Sequence, residues 1–297
     1  MDRLPDAPEM LEPNVEPLRS AKRRQADIHP TALVAPQAVI EPGASIGPFC
    51  EIGPNVVIGR NARLHGHVVV DGHTRIGAEA ELFPFCTVGL APQDLKYRGE
   101  PTECEIGPRT HIREHCTIHR GTVTGVGVTR IGADCLVMAV VHVAHDCQIG
   151  SNVIIANNVV MGGHVQIADQ AVIGGAAALH QYVRIGRGAI IGGVTGVGGD
   201  VIPFGAVIGN RGRLVGLNVV GLRRRGFDGA AVHRLRAVFR SLFRDEGRFA
   251  DRLAETRIRY GKDPLVREIM EFIDTPSHRG LIRATPRWDG EEAAGSG

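Results

Sequence analysis

The chain has 297 residues and a nearly balanced charge, with 34 Lys and Arg against 32 Asp and Glu and a formal net charge of +2. This balance argues against a strongly basic nucleic-acid-binding protein, and the hydrophobic content of 43% argues against a disordered polymer. The composition is unusual because 39 glycines accompany nine Phe, three Tyr and one Trp. A core of Ile, Val, Leu and Ala with glycine at regular bends explains both features.

Residues 1–26 are polar and contain prolines, acidic residues and the basic run Lys22–Arg24. They lack the apolar central block of a secretion signal. The chain also lacks a run of about 18 apolar residues, the length that spans a membrane. We therefore expect a disordered extension over residues 1–26, no membrane span and a cytoplasmic location.

An aliphatic residue recurs every six positions through most of the chain. This period is neither the 3.6 residues of a helix nor the two of an ordinary strand, and it suits a short extended segment plus a turn. Three such units close a triangular coil, and the coils stack about 4.8 Å apart by parallel strand pairing. The repeat therefore predicts an all-β fold, the hexapeptide-repeat parallel β-helix. Its positions are Ile28, Val34, Ile40, Ile46, Ile52, Ile58, Leu64, Val70, Ile76, Leu82, Val88, Ile106, Ile112, Ile118, Ile131, Val137, Val143, Ile149, Ile155, Met161, Ile167, Ile173, Leu179, Ile185, Ile191 and Val197.

The cysteines follow the same repeat. Each lies four residues after an inward aliphatic position, and Cys104 does so when the register is extended through an interruption. No CxxC pair is present, which argues against disulfide bonds and zinc sites. We therefore expect all six cysteines to be buried as small interior side chains: Cys50, Cys86, Cys104, Cys116, Cys135 and Cys147.

Two polar intervals interrupt the repeat, at residues 89–105 and 120–130. The first keeps the phase of a full coil but would place Asp94 and Glu100 inward, which predicts a looped-out coil. The second is rich in Gly and Thr and shifts the register by one residue. Long loops on a solenoid usually carry function or an interface.

The composition changes near Gly221, after which aromatic residues become more frequent. Asp228 is expected to cap a helix that ends at Gly247. A second helix is predicted over residues 248–260, and a third from Asp263 to about Asp274. The predicted organisation is a β-helix over residues 27–220, a small C-terminal α-helical domain over 221–284 and a flexible tail over 285–297.

Four histidines and one carboxylate recur at spacings that bring them close together when coils stack: His142, His145, Asp146, His164 and His180. A neutral imidazole can take a proton from an alcohol at neutral pH, and an adjacent carboxylate fixes its tautomer. The N–H of Gly162 or Gly163 could stabilise an oxyanion. No Ser or Cys is clearly placed as a nucleophile. We therefore expect direct attack by a bound hydroxyl that His145 activates.

A basic run, Arg223–Arg225, follows Asn218 at the start of the helical region. Such a run fits an ordinary solvated surface, but guanidinium groups are also preferred partners of a diphosphate. No phosphate-binding P-loop is present, and the glycines of residues 193–200 belong to the turns of the repeat.

Seven segments occur in a characteristic order: APQDLKYRGEPT (91–102), IREHCTIHRGT (112–122), HVAHDC (142–147), GGHV (162–165), GGAAALHQYVRIG (174–186), GLRRRGF (221–227) and RGLIR (279–283). Together they closely resemble the UDP-N-acetylglucosamine O-acyltransferases of lipid A biosynthesis. The resemblance covers roughly residues 27–283, and the ordered set is highly specific.

The resemblance implies a left-handed coil and a cytoplasmic homotrimer with three active sites between neighbouring subunits. It implies transfer of an (R)-3-hydroxyacyl group from acyl carrier protein to the glucosamine 3-hydroxyl of UDP-N-acetylglucosamine, the first step of lipid A biosynthesis. No cofactor is expected, because the donor carries its own phosphopantetheine, and no metal is expected. The 3-amino analogue of the sugar fits the same contacts, and the residues do not distinguish the two acceptors.

The resemblance also implies roles for individual residues. His145 would be the general base, Asp146 its orienting carboxylate and Gly163 the oxyanion donor. Gly193 would set the acyl length, and a glycine there leaves the groove open for a long chain. The substrate would be held by Gln93, Asp94, Lys96, His142, His164, His180, Gln181, Asn218, Arg224 and Arg225. Val220 stands where the family has an acidic residue, so nucleotide contacts there are expected to differ.

Three other functions are considered. The related N-acyltransferase of the same pathway carries an extra folded amino-terminal domain, which 26 polar residues would not supply. A three-His zinc hydratase shares the fold, but it leaves the DLKY and RRRGF segments unexplained. A non-catalytic scaffold leaves the histidines and the arginine run unexplained.

Overall fold

The computed structural model describes residues 25–243 and 246–285, in which short strands alternate with turns and helices follow near the end. The helices are α1 (Val219–Arg224), α2 (Gly229–Phe243), α3 (Phe249–Tyr260) and α4 (Pro264–Asp274). The strands are β1 (Asp27–Ile28), β2 (Leu33–Val34), β3 (Val39–Ile40), β4 (Ser45–Ile46), β5 (Glu51–Ile52), β6 (Val57–Ile58), β7 (Arg63–Leu64), β8 (Val69–Val70), β9 (His73–Ile76), β10 (Glu81–Leu82), β11 (Thr87–Leu90), β12 (Glu103–Ile106), β13 (His111–Ile112), β14 (Thr117–His119), β15 (Val128–Ile131), β16 (Leu136–Val137), β17 (His142–Val143), β18 (Gln148–Ile149), β19 (Ile154–Ile155), β20 (Val160–Met161), β21 (Gln166–Ile167), β22 (Val172–Ile173), β23 (Ala178–Leu179), β24 (Arg184–Ile185), β25 (Ile190–Ile191), β26 (Gly196–Val197), β27 (Gly205–Ile208) and β28 (Arg213–Leu217).

The strands form three sheets, named faces A, B and C in the order in which the chain visits them. Face A contains β1, β4, β7, β10, β13, β16, β19, β22, β25, β27 and β28. Face B contains β2, β5, β8, β11, β14, β17, β20, β23 and β26, and face C contains β3, β6, β9, β12, β15, β18, β21 and β24. Neighbouring strands of a face pair in parallel, as Ile46 does with Leu64, and among the described strands β27 and β28 alone pair antiparallel. The predicted parallel β-helix is confirmed.

The core of the prism consists of the inward aliphatic side chain of each strand and of small side chains in the turns, such as Ala44 and Val68. In β7, for example, Leu64 is buried and Arg63 is exposed. Every predicted inward position from Ile46 to Val197 is buried, whereas Ile28 is 42% exposed. All six cysteines are buried and free, as the repeat predicted.

Each corner of the prism is a turn, named here by the two faces that it joins. The turns place one residue in the left-handed region, such as Asn61 at corner C–A (φ 55°), Phe85 at corner A–B (φ 65°) and Asp146 at corner B–C (φ 60°). Asn and Asp tolerate this conformation better than other non-glycine residues, so a ring at such a position is unusual.

Both interruptions of the repeat project from corner B–C. Val88 lies on face B and Ile106 on the next face, where it pairs with Ile76 below it and Ile131 above it. The prediction of a looped-out coil at residues 89–105 is therefore wrong. The interval lengthens a single corner, because its polar residues provide no aliphatic side chain for a further inward position.

The three predicted helices are present as α2, α3 and α4, and α1 is an additional helix. Asp228 accepts a hydrogen bond from the Ala231 N–H before α2, and Asp263 caps α4 through the Leu265 and Val266 N–H groups. None of the described helices is long and apolar enough to cross a membrane. The predicted extension (1–26) and tail (285–297) fall, apart from Gln25, Ala26 and Thr285, outside the described residues.

Candidate active site

The predicted catalytic residues lie at corner B–C in two successive coils. His145 and Asp146 form the turn after β17, and Gly163 and His164 form the equivalent turn after β20. The backbone joins the two turns, because the His164 N–H donates to the His145 carbonyl over 3.0 Å. The structure therefore brings these four residues together.

The Asp146 carboxylate is buried and accepts four hydrogen bonds. Oδ1 accepts from the Thr122 N–H at 3.1 Å and from the Gly127 N–H at 3.0 Å. Oδ2 accepts from the Thr122 hydroxyl at 2.6 Å and from His145 Nδ1 at 2.8 Å. Burial opposes ionisation, but the hydrogen bonds from His145 and Thr122 outweigh it and hold the pKa of the Asp146 carboxyl below its usual value.

This arrangement fixes the tautomer of His145. An ionised carboxylate can only accept a hydrogen bond, so Nδ1 of His145 carries the proton. In the neutral imidazole the Nε2 atom therefore keeps its lone pair. The His145 side chain is 17% exposed, which leaves it accessible to a substrate. A neutral imidazole in this state can take a proton from a bound hydroxyl.

Gly163 lies directly against the His145 ring. A Cβ atom at Gly163 would stand 2.6 Å from Cε1 and 2.7 Å from Nε2 of His145. The Gly163 N–H has no acceptor among the described residues, whereas the Gly162 N–H donates to the Leu179 carbonyl within face B. Of the two glycines considered from the sequence, Gly163 is therefore the one with a free donor beside His145.

Four further rings lie near His145, and one of them, His164, contacts it directly. His164 meets His145 edge to face at 5.0 Å and stacks on Tyr182 at 4.4 Å, while His142 meets His119 at 4.9 Å. Burial lowers the pKa of His142, and burial also lowers the pKa of His164 against the opposing charges of Asp146 and Asp94. These imidazoles are therefore neutral at neutral pH and can donate or accept hydrogen bonds.

The first interval folds beside this site. Arg120 Nε donates to the Tyr97 hydroxyl at 2.7 Å, and that hydroxyl donates to the Glu100 carbonyl. Asp94 accepts from the Lys96 N–H and acts electrostatically on His164, so the loop carries its charges toward corner B–C. The Lys96 and Gln93 side chains are exposed there.

The remaining predicted residues are distributed around the prism. His180 and Gln181 lie at corner B–C one coil above Gly163, where Tyr182, not His180, stacks on His164. Gly193 lies at corner A–B. Asn218 donates to the Gly188 carbonyl and Arg225 to the Gln170 carbonyl at corner C–A, and Arg224 is exposed in α1. Within one chain, the predicted residues therefore lie apart, at corners B–C, A–B and C–A.

Several site residues were not predicted from the sequence. Thr122 and Gly127 reach Asp146 from the second interval, and His119 and Tyr182 contact the histidines. His119 and Thr122 stand inside the IHRGT segment quoted above, which was the available signal. Burial, followed by the charges of His142 and His145, lowers the pKa of His119 to about 4.

The ligand atoms of His145, Asp146 and His164 lie within 4.8 Å of one another, a spacing that could hold a metal ion. However, both Asp146 oxygens already accept two hydrogen bonds each, and one of these fixes His145 Nδ1. The donor set is therefore arranged as a hydrogen-bonded carboxylate–imidazole pair.

Comparisons with known proteins agree with this geometry. Residues 200–282 match the model of the family described as "Udp N-acetylglucosamine O-acyltransferase; Domain 2". Residues 37–72 and 129–163 match the bacterial transferase hexapeptide model of six repeats. The Acyl-[acyl-carrier-protein]–UDP-N-acetylglucosamine O-acyltransferase of Caulobacter vibrioides is 48% identical over 254 residues, covering 86% of this chain and 97% of the relative. This chain belongs to the UDP-N-acetylglucosamine O-acyltransferase family.

Other relatives of this family give the same result. The protein of the same name from Azorhizobium caulinodans is 50% identical over 72% of this chain and 79% of the relative. The crystal structure of the Moraxella catarrhalis UDP-N-acetylglucosamine O-acyltransferase has 39% identity and a TM-score of 0.83, covering 86% of this chain and 99% of that one. The Francisella novicida UDP-N-acetylglucosamine acyltransferase has 36% identity and a TM-score of 0.84, covering 86% and 94%. The chain is therefore an acyltransferase, and the predicted left-handed coil is confirmed.

Proposed function

We propose that this acyltransferase moves an (R)-3-hydroxyacyl group from acyl carrier protein to the 3-hydroxyl of UDP-N-acetylglucosamine, the first step of lipid A biosynthesis. The names of its relatives supply the donor and the acceptor. One observation carries the chemistry: the buried Asp146 orients His145 so that its free Nε2 lies beside the unused N–H of Gly163.

The reaction follows from these positions. His145 Nε2 takes the proton of the sugar hydroxyl while its oxygen attacks the thioester carbonyl, so that a C–O bond forms. The Gly163 N–H donates to the oxyanion that develops. As the C–S bond breaks, His145 returns the proton to the departing thiol. Asp146 stabilises the imidazolium between the two steps.

The surroundings of His145 favour direct transfer without a covalent enzyme intermediate. Cys147 is the thiol closest in sequence, but its Sγ is directed to the Gly162 carbonyl inside the prism. Burial raises the pKa of Cys147 to about 12, so the thiolate that a nucleophile requires is scarce. The hydroxyl of Thr122 donates its proton to Asp146 and is not free to attack.

We infer that corner B–C also binds the sugar and the thioester. Asp94 of the first interval acts electrostatically on His164, Lys96 is exposed two residues further along the same interval, and His142 is held by the Thr117 hydroxyl at 2.7 Å. These groups would contact the glucosamine and the acyl carbonyl, together with Gln93. His180, Gln181, Asn218, Arg224 and Arg225 would hold the nucleotide half or the pantetheine arm.

We further propose a homotrimer, because a complete site needs residues from two corners of the prism. From β9 to β24 the outward residue before each inward aliphatic position of face C is charged or an amide, such as Arg130 and Gln166. Corner A–B exposes apolar side chains, with Val140 50% and Val194 72% exposed. If corner A–B faces a threefold axis, corner B–C of one copy meets corner C–A of the next. Such packing would join His145 to the Arg224 of a neighbouring copy.

Corner A–B also carries a ladder of stacked rings, formed by Phe49, His67, Phe85 and His115. Successive ring centroids are 5.1, 5.0 and 5.0 Å apart. Phe49 and Phe85 are half-exposed, and all four residues adopt a left-handed backbone that is costly for large side chains. Exposed rings held in a strained conformation favour a role in contacts between copies.

The upper part of face B favours a long acyl chain. A cavity of about 530 Å³ opens above β20, and it is lined by Ala178, Gly196, Val197 and the turn Asn210–Gly212, with Arg213, Arg279 and Arg283 at its other side. Its glycines leave the surface open, and Gly193 lies on the preceding corner. We propose that the acyl tail runs along this face, that the enzyme needs no added cofactor or metal, and that it works in the cytoplasm.

The experiment that tests this function is a transfer assay with hydroxyacyl carrier proteins of several chain lengths. UDP-N-acetylglucosamine and its 3-amino analogue serve as competing acceptors. We expect product with the first acceptor and at least about a 100-fold lower rate for His145→Ala. His73→Ala, an exposed position on face C, is the matched control and should keep full activity. Transfer that survives in His145→Ala would refute the assigned base.

A further inference from the structure

Among the side chains that the structure describes, Thr122 is the one besides His145 that hydrogen-bonds the Asp146 carboxylate. Its N–H and its hydroxyl span the two carboxylate oxygens, at 3.1 Å to Oδ1 and 2.6 Å to Oδ2. Both Thr122 and Asp146 are 2% exposed. Water therefore has little access to replace a missing hydrogen bond at this carboxylate.

The second interval is shaped to bring Thr122 to this position. Glu103 closes the loop within it, because its carbonyl accepts from the Gly121 N–H and its N–H donates to the Gly127 carbonyl. A Cβ at Gly125 would stand 2.4 Å from Asp146 Oδ2. The loop thus closes tightly over the carboxylate, and its extra length relative to a regular corner serves this contact.

The hydroxyl of Thr122 is oriented by a second threonine. Thr122 Oγ1 donates its single proton to Asp146, so the Thr124 hydroxyl at 3.2 Å donates to Thr122. The same Asp146 Oδ2 atom accepts from His145 Nδ1. A three-membered relay, Thr124–Thr122–Asp146, therefore ends on the imidazole.

We propose that Thr122 is a positioning residue for catalysis, which acts on His145 through Asp146 and does not touch the substrate. Its hydroxyl fixes the direction of Oδ2 and disperses part of the carboxylate charge. Without it, Oδ2 concentrates more charge toward Nδ1 and binds the imidazolium more tightly. The midpoint of the acid limb of the pH–rate profile then moves to higher pH.

The test compares Thr122→Val, Thr122→Ser and Thr110→Val. Thr110 is an equally buried threonine outside the site, whose hydroxyl donates to the Gly132 carbonyl. It therefore controls for the general cost of losing a buried hydroxyl. Because the proposal rests on the proposed acyl transfer, activity is measured with a hydroxyacyl carrier protein and UDP-N-acetylglucosamine.

We expect Thr122→Val to lower kcat by about 10- to 100-fold, the range for one hydrogen bond to a charged group, with KM within about twofold. The midpoint of the acid limb of the pH–rate profile should move to higher pH. Thr122→Ser should restore both the rate and the original midpoint. Thr110→Val should lower the melting temperature and leave both unchanged. A Thr122→Val enzyme with an unshifted acid limb would overturn the positioning role, whether or not its rate falls.

A readout without activity separates this proposal from the proposed function. The Nδ1 proton of His145 should give a downfield NMR resonance that changes in Thr122→Val and returns in Thr122→Ser. An unchanged resonance in Thr122→Val would contradict the positioning role even in an active enzyme. Absence of transfer in the wild-type protein, with the resonance behaving as expected, would contradict the substrate assignment and support the role of Thr122.

Discussion

Corners B–C and A–B use the same turn geometry for different purposes. At corner B–C the left-handed positions hold Asp146 and His164, whose polar atoms are tied to the neighbouring loop and coil. At corner A–B the equivalent positions hold Phe49 and Phe85, whose rings stack and remain half-exposed. The backbone repeat specifies the turn, so the side chain at each corner is free to serve chemistry or contact between copies.

The largest effect should come from closing the space beside the base at corner B–C. In Gly163→Ala the new Cβ would lie 2.6 Å from the His145 ring, so the imidazole must move. We expect kcat to fall by at least about 100-fold, because small misplacements of catalytic groups are costly. The matched control is Gly216→Ala, whose Cβ would meet nothing within 4 Å. Equal activity of the two variants would contradict the placement of Gly163.

The next effect tests corner A–B. Phe85→Glu places a charge in the ring ladder, and we expect the dissociation constant of the proposed trimer to rise by at least about 30-fold in sedimentation measurements. Gln166→Glu adds the same charge on face C and should leave assembly unchanged, since that face is polar. A Phe85→Glu protein that remains fully trimeric would place the interface elsewhere.

A smaller effect concerns donor choice. Gly193→Met adds a side chain at corner A–B whose Cβ would stand 3.3 Å from the Gly175 carbonyl, a tight but tolerable contact. The bulk should block the groove toward the cavity on face B and shift the preferred donor to a shorter acyl chain. Competition between carrier proteins of different chain length measures this preference. An unchanged chain-length preference would show that Gly193 does not line the acyl groove.

The smallest effect is a pH dependence of stability. Burial lowers the pKa of His119 from 6.5 to about 4, so the unfolded chain binds a proton first as the pH falls. The contribution of His119 to the free energy of unfolding is therefore fully present above about pH 6.5 and is lost between pH 6.5 and 4. At pH 5 the loss is about 2 kcal/mol. His119→Phe should flatten this decline in denaturant unfolding at pH 5 and 7. The same loss of unfolding free energy between pH 7 and 5 in the wild type and in His119→Phe would contradict a neutral buried His119.

The sequence predicted the inward side of the prism better than its corners. Every aliphatic position of the six-residue repeat from Ile46 to Val197 is buried, because each strand repeats the same demand for an inward side chain. The period carries no information about how far a corner can bulge. Residues 89–105 were therefore assigned to a looped-out coil, although they extend one corner.

The candidate site was predicted in part for the same reason. His145, Asp146 and His164 follow from coil spacing, and the structure brings them together. Thr122 lies 24 residues before Asp146, and its contact depends on the path of an irregular loop. No period encodes such a path, so the positioning residue became visible in the structure alone.

The central claim is that corner B–C supplies the chemistry and that a neighbouring copy completes the site. Subunit mixing tests it most directly, with His145→Ala and Arg224→Ala proteins that are each nearly inactive alone. If each site combines His145 of one copy with Arg224 of the next, random mixed trimers should regain roughly a quarter of wild-type activity. Mixtures that stay as inactive as the separate variants would show that one chain holds the whole site.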